Sequence, residues 1–133
     1  MDRMDHERLD VYRLALEFAH EAEQLCRGVP RGHTALADQL RRASTSICLN
    51  IAEGAGEYRS REKARFYRMA RRSATECAAI LDLLDVFGIT TAVATTSRAR
   101  RSLLLRITAM LAKGRGKAGV NEGARTPGTI IAP

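Results

Sequence analysis

The sequence predicts an all-α protein: an antiparallel up-down-up-down four-helix bundle over residues 1–113, followed by a flexible C-terminal tail over residues 114–133. Three observations carry that expectation. Apolar residues recur at helical spacing in four separate segments. Glycine and proline interrupt the pattern between them, and the connections are short enough to make consecutive helices antiparallel neighbours. Aromatic content is only 5%, with no Trp, so the core must come from Leu, Ile and Ala, which suits helices better than sandwiches or barrels. A chain of 133 residues with 45% hydrophobic content suits one globular domain.

The first helix is expected over about residues 7–26, where Val11, Leu14, Phe18 and Leu25 share a face with Tyr12, Ala15, Ala19 and Ala22 beside them. RGVPRGHT then breaks the pattern with Gly28, Pro30 and Gly32. The second helix is expected over about residues 35–53, with Thr34 as N-cap. Leu36, Leu40, Ala43, Ile47 and Ile51 form its apolar stripe. Gly54 or Gly56 offers the left-handed conformation that often ends a helix. The third is expected from Ser60, an N-cap, to about residue 87. Its stripe is Phe66, Ala70, Ala74, Cys77, Leu81 and Leu84, and Gly88 stops it. The fourth is expected over about residues 91–113, with Val93, Leu104, Ile107 and Leu111 inward and Leu103 and Met110 alongside. Its beginning, TAVATTS, is a weak helix former because β-branched and hydroxyl residues compete with the helical backbone. The tail GRGKAGVNEGARTPGTIIAP is Gly-rich and aperiodic, hence expected to be disordered.

A polar stripe borders the apolar face of the second helix. At about 100° per residue, Arg42, Ser46, Asn50 and Glu53 fall within roughly a quarter-turn of one another. Arg42 and Glu53 are about three turns apart, so each needs a partner on another helix. A hairpin centred near Glu57 sets Arg42 near Glu76, and Glu53 near Arg61 or Arg65. The expectation is a cross-helix network in which Ser46 and Asn50 satisfy nearby backbone or side-chain groups, with Ser73 among the candidates. The alternative is an ordinary solvated face.

The formal charge of +7 favours contact with phosphate or acidic surfaces. Arg61, Arg65, Arg68 and Arg72 step by four, three and four, opposite the apolar stripe of the third helix. Arg59, Lys63 and Arg71 flank them, and the fourth helix adds Arg98, Arg100, Arg101 and Arg106. Such a row suits salt-sensitive contact with a nucleic-acid backbone. It suits equally a solvated face that serves subunit contacts or an acidic protein partner. Tyr58 and Tyr67 are the nearby aromatic residues, too few to favour base-specific readout.

Enzyme chemistry finds little support. Glu17 and His20 form one Glu-x-x-His unit, whereas di-iron bundles need two such units and two further carboxylates. No nucleophile–base spacing and no phosphate-binding glycine loop after a strand is present. Cys26, Cys48 and Cys77 are widely spaced and odd in number, so they read as small buried thiols in a reducing cytoplasm, without a zinc site or disulfide framework. No cofactor and no metal is expected. No apolar run is long enough for a membrane, and the charged N-terminus does not read as a secretory signal.

The segment LRRASTSICLNIAEGAGEYRSREKARFYRMARRSATECAAILDLL resembles the signature of the intervening-sequence protein family, some of whose members are encoded within insertions in large-subunit ribosomal RNA genes. The matching residues are Arg42-Ala43, Ser46-Ile47, Asn50-Ile51-Ala52-Glu53-Gly54, Ser60, and Ser73 with Glu76. LDVYRLALEFA is similar to the family's opening helix, so the resemblance spans roughly residues 9–111. The chain departs from the pattern at Cys48 or Leu49, where a Pro or small residue is usual, and at Arg72, where Gly is usual. The resemblance implies a four-helix bundle that assembles as a ring-shaped homopentamer. It also implies a nucleic-acid link, since related bundles act as accessory proteins to retroelement reverse transcriptases. It implies no enzymatic activity.

Overall fold

The computed structural model describes residues 4–89 and 94–114. Four helices make up almost all of it: α1 (Asp10–Arg27), α2 (Thr34–Ala55), α3 (Ser60–Val86) and α4 (Ala94–Gly114). A 3₁₀ turn at Asp5–Arg8 precedes α1, and another at Arg31–His33 leads into α2. No strand occurs among the described residues. The protein is all-α, with bundle packing. The expected start of the fourth helix at Thr91 and Val93 lies outside the described residues, as does the tail from Arg115 onward, Lys117 included. Gly114 is the last residue of α4, one position past the predicted boundary.

Each helix packs on two others: α1 on α2 and α4, and α3 on α2 and α4, with no close approach across either diagonal. Cross-links give directions. The Cys26 thiol donates to the Ala37 carbonyl at 3.2 Å, while Arg41, one turn later in α2, reaches back to Glu23 at 2.8 Å. Rising numbers in α2 thus meet falling numbers in α1, and the pair is antiparallel. Contacts of Ser46 with Ser73 and of Gly54 with Tyr67 make α2 and α3 antiparallel in the same way.

The core follows the apolar stripes. Val11, Ala15, Phe18 and Ala22 of α1 are buried with Leu40, Ala43, Ile47 and Ile51 of α2, with Ala70, Ala74, Cys77, Leu81 and Leu84 of α3, and with Leu104, Ile107 and Leu111 of α4. The alanines allow close approach of the backbones, and dense packing of this kind makes single methylenes count. One position in α3 is shifted from expectation. Tyr67 is 3% exposed, whereas the predicted Phe66 is only half-buried. The three cysteines are free and buried. Burial pushes the Cys48 thiol up to about 11 and the Cys77 thiol up to about 12, so both remain protonated at neutral pH.

The helix ends differ from the sequence reading. Thr34 and Ser60 are each the first helical residue, and the N-caps are His33 and Arg59. The Thr34 hydroxyl instead donates to the Arg31 carbonyl at 2.5 Å, because the preceding 3₁₀ turn runs directly into the helix. Ser60 is displaced by one because the Arg59 carbonyl already accepts the Lys63 amide at 2.9 Å. Neither Gly54 nor Gly56 is left-handed: Gly54 lies inside α2, and Gly56 caps it at φ −85°. Among the described residues the left-handed glycine is Gly88, at φ 71°, just after α3. There the Ile89 amide donates to the Leu84 carbonyl at 2.9 Å and the Gly88 amide to the Asp85 carbonyl at 3.0 Å, which is a Schellman ending.

Candidate nucleic-acid interface

The α2–α3 hairpin positions the basic face, and its tip explains why α2 ends on glycines. A Cβ on Gly54 would stand 2.6 Å from Cε1 and 2.8 Å from Cδ1 of Tyr67, so only hydrogen fits there. One turn before Tyr67, Lys63 turns inward. Its Nζ donates to the Gly54 carbonyl at 2.8 Å and the Ala55 carbonyl at 3.3 Å. Both carbonyls lie in the last turn of α2, where a cation suits the negative end of the helix dipole; the Gly54 carbonyl accepts the Glu57 amide as well, at 3.1 Å. Burial lowers the Lys63 pKa, with Asp5 and Glu57 opposing the shift. Lys63 is therefore committed to the fold and withdrawn from the outer basic row.

The polar stripe on α2 divides in two. At its centre the Ser46 hydroxyl accepts hydrogen bonds from the Ser73 hydroxyl and from the Asn50 side-chain amide, both at 2.9 Å, and Asn50 also donates to the Ser46 carbonyl at 2.9 Å. All three residues are half-buried. The charged ends behave differently. Arg42, Glu53 and Glu76 are exposed, and among the described residues no ion pair joins Arg42 to Glu76 or Glu53 to Arg61 or Arg65. The predicted interior fastener at Glu53 is thus corrected. Glu53 is exposed, about 100° round the helix from Gly54, which is the residue that faces Tyr67.

On α3, Arg61, Arg65, Arg68 and Arg72 are all exposed and lie opposite the buried stripe. Arg65 is held locally: its Nη2 is 2.9 Å from Glu62 Oε1, and its guanidinium covers the Phe66 ring at 4.7 Å. The hydrogen bond to Glu62 raises the Arg65 pKa and lowers that of the carboxyl. Arg61, Arg68 and Arg72 form no ion pair among the described residues. At about 1.5 Å per residue they span about five phosphate spacings of a strand at about 3.4 Å each.

Two arginines of α4 are drawn into contacts with other helices. Arg101 bridges to α3, ion-paired with Asp82 and, at 2.6 Å, with Asp85. Arg98 is exposed. Arg100, expected on the surface, is 6% exposed, with Nε 3.7 Å from Glu21 Oε1 of α1. Its Nε and Nη1 atoms have no hydrogen-bond partner among the described residues. A sequence signal for this existed: Leu111, Ile107 and Leu104, stepped back four more residues, lands on Arg100. Between α1 and α4 runs an open groove of about 470 Å³, lined by Asp10, Arg13, Leu14, Glu17, Arg106 and Met110. Glu17 is thus on a groove wall. Among the described residues no three His, Cys, Asp or Glu side chains converge on a point that could hold a metal ion. No described helix is long and apolar enough to cross a membrane.

Fold and face together define a class: a small basic helical bundle with a row of exposed arginines on one outer helix. The chain matches the family described as 23S rRNA-intervening sequence protein over residues 7–119, and it belongs to that family. No curated protein matches it.

Proposed function

We propose that this protein is a non-enzymatic, self-associating cytoplasmic bundle that binds the backbone of RNA or DNA through α3. The observation that carries the reading is the row of Arg61, Arg68 and Arg72, exposed on one face and without intramolecular ion pairs among the described residues. Charge without an internal partner is available to phosphate, and each contact releases a counterion. Self-association, with the homopentamer as the expected form, is supported by the outer face of the hairpin. Leu49 is 59% exposed there, and Arg42, Glu53 and Glu76 present opposite charges without ion-pair partners among the described residues. A ring would repeat the arginine row and raise avidity. Three free thiols suit a reducing compartment.

A gel-shift titration over a salt series tests the binding. The triple variant Arg61→Glu, Arg68→Glu, Arg72→Glu should bind far more weakly and lose roughly two units of log–log salt slope. Absence of binding by the wild type even at low salt would retire the proposal. A second reading, an adaptor for an acidic protein partner, draws on Arg65 and Arg101, which already engage carboxylates. It predicts that the same triple variant changes co-elution with that partner or subunit number by light scattering, with nucleic acid never bound.

A further inference from the structure

Tyr58 lies in the short connection between α2 and α3 and is 99% exposed, the most exposed large apolar side chain among the described residues. Tyr67 is buried and Tyr12 packs edge-on against His6 with ring centroids 4.6 Å apart, so the other two tyrosines are occupied. The backbone just before Tyr58 is tied to α2 and α3. The Gly56 amide donates to the Ala52 carbonyl at 3.2 Å, the Glu57 amide to the Gly54 carbonyl at 3.1 Å, and Lys63 clasps the same carbonyl from α3. Exposed Arg59 and Arg61 follow it by one and three positions, at the start of the arginine row, while Glu57 precedes it. The first turn of α3 carries no side-chain cap on its amides, and the acid it contains, Glu62, is already paired with Arg65.

We propose that Tyr58 is a stacking platform for an unpaired nucleobase, with Arg59 and Arg61 on the adjoining phosphates, so that the hairpin tip takes single-stranded nucleic acid in preference to duplex. A ring free on both faces, set in a short connection and followed by two exposed cations, is the combination that binds single strands without reading sequence. In a duplex the bases are already stacked on each other, and the ring has no face to meet. This inference rests on the proposed nucleic-acid binding and extends it from backbone contact to strand type.

The test compares the full-length wild type, Tyr58→Ala and Tyr58→Phe, each titrated with a short oligoadenylate ribonucleotide, alone and annealed to its complement. Tyr58→Ala should weaken single-strand binding by about fivefold or more and leave duplex binding and the salt slope unchanged. Tyr58→Phe should bind as wild type. In a Tyr12→Phe background, tyrosine emission should be quenched by the single strand, and Tyr58→Ala should abolish the quenching. Wild-type affinity in Tyr58→Ala, while the arginine triple variant still binds weakly, would overturn the stacking role alone. Equal losses on single strand and duplex would also overturn it, as a structural effect. No binding of either probe by the wild type would remove both proposals.

Discussion

Replacing Gly54 by Ala sets two effects against each other. Gly54 lies inside α2, where alanine is the better helix former by about 1 kcal/mol. Propensity alone therefore predicts stabilisation. The structure predicts the reverse. The new Cβ would approach two Tyr67 ring carbons at 2.6 and 2.8 Å and the Phe66 Cβ at 3.1 Å, against the roughly 3.5–4.0 Å of a relaxed carbon contact. Tyr67 is 3% exposed, so its ring can yield only by disturbing the core. Overpacking of this kind costs about 1–3 kcal/mol, and the worst contacts here are about 1 Å too short. The net expectation is a loss of about 1–2 kcal/mol. Gly56→Ala is the control: its nearest neighbours would be backbone oxygens at 3.7 and 3.9 Å, and its φ suits alanine, so stability should hold or rise slightly. Urea unfolding followed by far-ultraviolet circular dichroism, at matched protein concentration, reads both. Trimming the ring with Tyr67→Leu should shrink the cost of Gly54→Ala, a coupling that a double-mutant cycle isolates. A Gly54→Ala protein as stable as the wild type would refute the close-approach argument.

Two further predictions concern charges. Hydrogen bonds from Arg41 and Arg27 hold the Glu23 carboxyl below its usual range. A carboxyl with a depressed folded pKa contributes stability that is complete above its unfolded value and is lost as pH falls through the folded value. The wild type should therefore be more stable than Glu23→Gln at neutral pH, with melting temperatures converging in acid; a gap that is constant with pH would refute the assignment. At the other pair, Glu21→Ala should destabilise by about 1–3 kcal/mol, because it leaves the buried Arg100 without its counterion, while Arg100→Met should be neutral or stabilising. Urea midpoints decide between them, and an Arg100→Met protein less stable than Glu21→Ala would sink this account.

Periodicity made the helices and most of the core legible, since burial of one stripe per helix is what a bundle requires. It placed Ile47, Ile51, Ala70 and Ala74 inward, as they are. It missed Tyr67 because an aromatic with a polar tip, next to a plain Phe, gives no sign of which will find a glycine opposite. The Gly54 contact itself is long-range information: the sequence shows a helix breaker, and only the packed hairpin shows a gap in the surface filled by a ring. Charge partners were least legible. Lys63 looked like part of the outer row, yet its long stem reaches the end of α2. Arg42 and Glu76 share a level of the hairpin without pairing, because long side chains choose among partners by reach and azimuth, which helical numbering alone leaves open. Arg100 was read as surface because it is charged, although its position in the stripe was inward.

The clasp at the end of α2 also bears on how the chain reaches this structure. Lys63 closes onto carbonyls only eight and nine positions earlier, so the ring of backbone it completes is small and its closure entropy low. Local contacts of this kind assemble ahead of those that join distant helices. Antiparallel pairing of α2 and α3 is then the natural nucleus, onto which α1 and α4 condense from either side.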